Sequence, residues 1–386
     1  MSYSLPYILI IVFFLGISVI QLGIPLDEKS RKYLNYFVII AYVLFFGFRG
    51  FIATDWMNYY STFKILPTNF IHALNVSSFE PGFVIYSVLI KKIFPNYETF
   101  QLLNTITNII LLNIFFKRYL NEKYYALGFA VFVAFFGYIF EINLLRNFKS
   151  LLIFLLALKY IENRNWLKYY LCVILALLFH WTSIVFIPLY FFLHKKINIR
   201  ILIGIFVVGT FVYLLQFEYV KPLIKSFSKL LPLNMGEKIA GYLGSETFGG
   251  SYGLTFGYFE RTLIMFLILF YYKSITNNKS NILFVNSYLI FIAFYLYFSE
   301  VSIIIVRMAS IFAYSYWIII PLIIMNMQKN IKPIMFLFIS LLLIAKIHMV
   351  TNSLFYEYDS LLAKNYKTYE ERIKIYDKNK KILEKK

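Results

Sequence analysis

The stretch Leu5–Ile24 reads LPYILIIVFFLGISVIQLGI, twenty residues without one charge. Apolar side chains point in every direction from any helix drawn through it, so no face is left for water. As a helix such a run reaches about 30 Å, the hydrocarbon thickness of a bilayer. Met308–Met325 repeats the pattern near the other end of the chain. Lipid satisfies no backbone N–H or C=O, so only helices and closed barrels cross it. Barrel strands alternate apolar and polar residues, and these runs do not. The reading is all-α: a polytopic helical membrane protein.

Composition agrees. Of 386 residues 60% are apolar and only 15% charged, where a soluble domain carries about 25% charge. A soluble enzyme, a disordered chain and a fibre are excluded. Cys172 alone permits no intrachain disulfide. His72, His180, His194 and His348 show no paired-ligand spacing, so neither a metal nor a cofactor is expected. There is no phosphate-binding glycine loop and no nucleic-acid motif. The net charge of +19 reads as basic loops against anionic membrane lipid, with no nucleic acid as partner. Leu5–Ile24 lacks a basic leader and a small-residue cleavage site, and reads as a retained span.

Apolar runs predict about twelve transmembrane helices (range 10–13) in a single domain over 1–350, followed by a polar tail, 351–386. Segment 83–94 is too short to cross. The run 167–193 is too long for one helix and is divided at His180-Trp181-Thr182-Ser183. One alternating set of short loops is basic, including Lys29, Arg31, Lys117, Arg118, Lys159, Arg164, Lys195, Lys273 and Lys329. These predict the cytoplasmic side. The opposite, external side then holds two long loops, about 50–98 and 218–256. It also receives the tail, although the tail's nine Lys or Arg against six Asp or Glu argue for the other side. Gly236, Gly241, Gly244, Gly249, Gly250 and Gly253 make 218–256 either a lid or a plain connector.

Charges within or at the edge of a membrane helix are expensive and mark candidate sites. On the predicted external side stand Arg49, Asp55, Glu80, Glu141, Arg146, His180, Glu300 and Arg307. Each also has a structural reading. Arg49 suits an interfacial anchor, Asp55 a helix cap, Glu80 a helix start before Pro81-Gly82. His180 suits a core residue bonded to a carbonyl, and Glu141 with Arg146 a buried pair. Together, arginines that bind phosphate, a carboxylate base and many aromatic rings suit a lipid-linked phosphosugar. A transporter of an anionic lipid needs the same groups.

In order along the chain come Phe48-Arg49, Thr54-Asp55, Tyr59-Tyr60, Glu80-Pro81-Gly82-Phe83, Leu145-Arg146, Ala176–Thr182 and Ser299-Glu300 with Arg307. This series resembles the EpsG family of Wzy-type polysaccharide polymerases over roughly residues 35–325, with a likeness to C-type glycosyltransferases. One departure is Arg146-Asn147-Phe148-Lys149, where the family usually has Arg-Gln and then small residues. The resemblance implies a multi-pass enzyme of the bacterial inner membrane that joins undecaprenyl-diphosphate-linked oligosaccharide repeat units, with a chain-length regulator protein as partner. It makes segment 83–94 a peripheral helix on the external face. It implies Asp55 as base with Glu80 as substitute. Arg146 and Arg307 would hold the diphosphate, Arg49 would assist, and His180, Glu300 and Tyr59 would contact or orient substrate. A flippase of the same lipid and a glycan ligase are the alternatives. A membrane O-acyltransferase is disfavoured, because its histidine should face the cytoplasm.

Overall fold

The computed structural model describes residues 2–228, 254–301 and 305–383. Its regular elements are helices, and among the described residues there is no strand. In chain order the first are α1 (Leu5–Gly23), α2 (Glu28–Tyr42), α3 (Trp56–Ile65), α4 (Phe70–Val76), α5 (Pro81–Ile93), α6 (Tyr97–Tyr119), α7 (Tyr125–Phe132) and α8 (Tyr138–Ile142). Next come α9 (Leu145–Glu162), α10 (Trp166–Phe179), α11 (Leu189–Phe192), α12 (Ile199–Leu215), α13 (Val220–Ser228) and α14 (Phe256–Phe270). The last are α15 (Tyr272–Ile275), α16 (Lys279–Tyr297), α17 (Tyr314–Asn326), α18 (Lys332–Thr351) and α19 (Tyr369–Leu383). The basic loops start their helices with side-chain caps. Asp27, Asn121, Asn165, Asn198 and Asn278 each accept a backbone N–H two or three residues ahead. The six glycines of the 218–256 loop lie outside the described residues.

Six helical spans are long and apolar enough to cross a membrane: Leu5–Gly23, Tyr97–Tyr119, Glu122–Ile142, Lys279–Tyr297, Arg307–Asn326 and Lys332–Thr351. A seventh arises if α12 and Val220–Ser226, bent apart by 87°, form one span. The described residues therefore support six or seven such spans, a correction to the expected twelve. The reason is that caps and breaks end a helix before its apolar run ends. The 14 residues of α10 reach only about 21 Å, and α14 has 15 residues. α9 has the length but carries Arg146, Lys149, Lys159 and Glu162. The break in 167–193 falls where the polar step placed it: His180 is extended between α10 and a 3-10 turn over Trp181–Phe186.

The chain forms two compact units, Met1–Ile187 with Gln328–Lys386, and Pro188–Met327. In the second, α12 packs on α16. The Asn286 amide donates to the carbonyls of Leu193 and Lys195, both at 2.8 Å. Tyr316 donates to Glu260 at 2.6 Å, tying α17 to α14.

The first unit is organised around Glu141, which is fully buried on α8. Its carboxylate accepts from Tyr42 at 2.8 Å, Thr105 at 2.6 Å and Asn108 at 3.0 Å. Arg49, 2% exposed, stands 3.9 Å away and donates to the Glu141 carbonyl at 2.7 Å. A buried charge costs several kcal/mol unless its remaining valences are filled, and here α2, α6 and the segment after α2 fill them.

The polar tail also folds into the first unit. Gly50 N–H donates to the Asp359 carbonyl, Ala53 N–H to Phe355 and Leu361 N–H to Phe48, each at 2.8 Å. Tyr358 stacks on Phe45 at 4.5 Å. The tail therefore packs on the start of the 50–98 stretch. Within it, Glu357 accepts from Lys367 and from Arg372, both at 2.7 Å. Burial raises the cost of ionising Glu357, but these two cations more than offset it and hold the carboxyl below its usual range.

Two outcomes are expected. Glu141→Ala leaves Arg49 buried opposite an empty space, a loss of about 3–5 kcal/mol. Thermal unfolding in detergent should show it, with Arg49→Met/Glu141→Leu less destabilised than the sum of its single changes. For Glu357, whose folded pKa is depressed, the contribution to tail docking is complete above the ordinary carboxylate range and disappears as pH falls through the lower folded value. A spin label at Lys374 should sharpen on acidification, and Glu357→Gln should be mobile at neutral pH already.

Candidate functional site

Glu80 is the centre of the site. Its backbone is extended and Pro81 starts α5, so the carboxylate stands at a helix N-terminus. It makes no cap to that helix and instead faces α9 and the break after α10. Arg146, in the first turn of α9, donates to Oε2. Trp181 N–H approaches Oε1 at 3.4 Å, and the Nδ1 of His180 lies 3.5 Å from the same oxygen. His180 Nδ1 accepts from Thr182 N–H at 3.2 Å, which in the neutral ring leaves the proton on Nε2. Gly82 makes the approach possible: a Cβ there would lie 2.8 Å from the Leu178 carbonyl.

Arg146 is held on three sides. Its guanidinium lies over the Phe79 ring at 4.3 Å, bonds Glu80, and interacts with the Tyr59 hydroxyl. Its side chain stays 23% exposed, leaving donors for an anion. Asp55 stands at the start of α3 without capping it. Asn143 fixes its backbone by accepting Thr54 N–H at 3.1 Å and Asp55 N–H at 2.7 Å. Ala53, two residues earlier, is left-handed with φ 66°, a conformation disfavoured for residues bearing a Cβ. Asp55 is partly exposed and interacts electrostatically with Tyr59. So Asp55, Tyr59, Glu80, Arg146 and His180 are brought together in the first unit.

Arg49 is sealed by Phe46 O, Thr105 and Glu141. The sequence neighbours Glu141 and Arg146 do not pair: each binds a partner from another segment, Arg49 and Glu80 respectively. In the second unit Glu300 accepts N–H groups of Tyr219 (2.6 Å), Val220 (3.0 Å) and Lys221 (3.1 Å), capping α13. Arg307 is exposed on a π-turn over Ile305–Ala309.

Asn143 had no sequence signal beyond its place between Glu141 and Arg146. Lys149, unexplained in the sequence, donates to Thr107 at 2.6 Å and lies 4.9 Å above the Tyr86 ring, joining α9 to α6 and α5. Glu260 and Arg261, both buried, were missed. The rule that intramembrane charges mark sites would have found them in α14.

Replacing Gly82 by Ala should push α5 off α10 and separate Glu80 from His180. A cost of about 1–3 kcal/mol is expected from overpacking, read as a lower unfolding midpoint in detergent.

The family model named EpsG family matches residues 32–368. Comparison with curated proteins and with solved structures gives no significant match. The matched region contains the whole Asp55–Glu80–Arg146–His180 cluster and both Glu300 and Arg307, and the chain belongs to the EpsG family.

Proposed function

We propose that this protein is a polyprenyl-diphosphate-dependent glycosyltransferase that polymerises undecaprenyl-diphosphate-linked oligosaccharide repeat units at the outer face of the bacterial inner membrane. The observation that carries the reading is the family match over most of the chain, which includes an arginine-carboxylate-histidine cluster beside a partly exposed carboxylate. The basic alternating loops support an external position for the cluster.

The growing glycan on its diphosphate lipid is the donor, and one lipid-linked repeat unit is the acceptor. Asp55 takes the proton from the attacking hydroxyl. The acceptor oxygen bonds to the donor's anomeric carbon as the bond from that carbon to the diphosphate oxygen breaks. Undecaprenyl diphosphate departs with the electron pair, its charge held by Arg146. A single displacement inverts the anomeric configuration. Glu80 is 5% exposed and committed to Arg146 and Trp181, so it positions the arginine, and the base is Asp55. His180 hydrogen-bonds the sugar or the diphosphate. Arg146 supplies the charge compensation for which other transferases use a divalent ion.

The test is reconstitution of purified protein with its native lipid-linked repeat unit in EDTA, with products separated by gel. A ladder spaced by one repeat is expected. Asp55→Asn and Arg146→Ala should each lower the rate by at least about 100-fold while the protein remains folded. Retention of anomeric configuration would defeat the single displacement. A blank gel accompanied by movement of labelled lipid across proteoliposomes would replace polymerase by flippase.

A further inference from the structure

The loop that carries Asp55 has two walls. Asn143 is one. The other is the C-terminal tail, which pins Phe48, Gly50, Phe51 and Ala53 through main-chain groups. Three of those bonds join backbone to backbone at 2.8 Å. The fourth comes from Arg372, whose Nε donates to the Phe51 carbonyl at 2.7 Å. Arg372 is 4% exposed, although it belongs to the polar tail. Its other nitrogens go to Glu357, one to the carboxylate at 2.7 Å and one to the carbonyl. One residue of α19 further locks the same loop: Tyr369 stacks on Tyr60 at 4.1 Å and meets Phe51 and Trp56 edge-on. Gly50 accepts this contact because it has no side chain; a Cβ there would lie 3.0 Å from that of Asp359.

We infer that Arg372, with Glu357 and Tyr369, is a positioning residue for the Asp55 loop, and that the C-terminal tail is a clamp the transfer reaction needs. The clamp joins the loop where its backbone is least able to hold itself. Ala53 sits in the left-handed region, and the Phe355 carbonyl and the Trp56 indole fasten it from both sides, at 2.8 and 3.0 Å. Released, residues 51–55 relax to an ordinary backbone conformation, and the Asp55 carboxylate moves with them. The family match ends at residue 368, so Tyr369 and Arg372 lie beyond it. The inference rests on Asp55 as the base.

The experiment compares full-length Arg372→Gln, Arg372→Lys and Tyr369→Leu with the parent in the polymerisation assay. Arg372→Gln should lower kcat by about 10–100-fold, the effect of displacing a reacting group by an ångström or so. KM for the lipid-linked repeat unit should not change, and the acid limb of the kcat–pH profile should move. Arg372→Lys should recover part of kcat, because one ammonium can reach Glu357 or the Phe51 carbonyl. Tyr369→Leu, which keeps the buried charge compensated, should reproduce the kcat loss in a smaller degree. Parental kcat in Arg372→Gln and Tyr369→Leu, with the tail cut faster by trypsin, overturns the clamp. So does a rise in KM at constant kcat. Asp55→Asn separates the two failures: activity that survives it removes the base itself, whereas its loss beside a fully active Arg372→Gln removes only the clamp.

Discussion

A carboxylate with no exposure holds the first unit together. Glu141 lies on a five-residue helix between a π-turn and an irregular corner, and its own backbone bonds are too few to keep that helix in place. What does so is the need of the buried charge for partners. Tyr42 arrives from α2, Thr105 and Asn108 from α6, and Arg49 from the segment after α2. Removing any one leaves polar atoms in an apolar surround, where each unpaired group costs about 1–3 kcal/mol. The network therefore acts as a joint that is cheap only when complete. Arg49, once fixed, sets the backbone that Gln101 and the tail then grip.

The candidate site repeats this logic with one difference. Glu80, Arg146 and His180 also come from three segments, but Arg146 keeps an exposed edge. Two arginines that look alike in sequence thus have opposite fates. Arg49 spends its donors on carbonyls, a threonine and a carboxylate inside the bundle. Arg146 spends some on Glu80 and Tyr59, lays its face on Phe79, and retains capacity toward the outside. Aromatic support of that kind holds a guanidinium without consuming its N–H groups.

Much of this was legible beforehand. The all-α membrane class followed from runs without charge, and the break at His180 from a polar step inside an overlong run. Four site residues named from intramembrane charge, Asp55, Glu80, Arg146 and His180, do converge in the first unit. Pairing was less legible. Glu141 and Arg146 are five positions apart with a corner between them, so sequence proximity suggested a pair, and chain direction sent each to another partner. The span count erred for a related reason: an apolar run says where water is excluded, whereas the helix within it ends at a cap or kink. The docking of the polar tail was not legible, because the residues that carry it, buried Arg372 with half-buried Tyr369 and Ile373, stand among charges.

What this sequence determined by itself is the solvent of the chain and the kind of element that solvent permits, because backbone hydrogen bonding in lipid leaves few choices. It also determined which charges demand an explanation. Only the tertiary structure decided which of those charges are sealed and which stay available. A side chain's ionic partner is chosen by helices far apart in sequence, and the difference between Arg49 and Arg146 exists nowhere except in their packing.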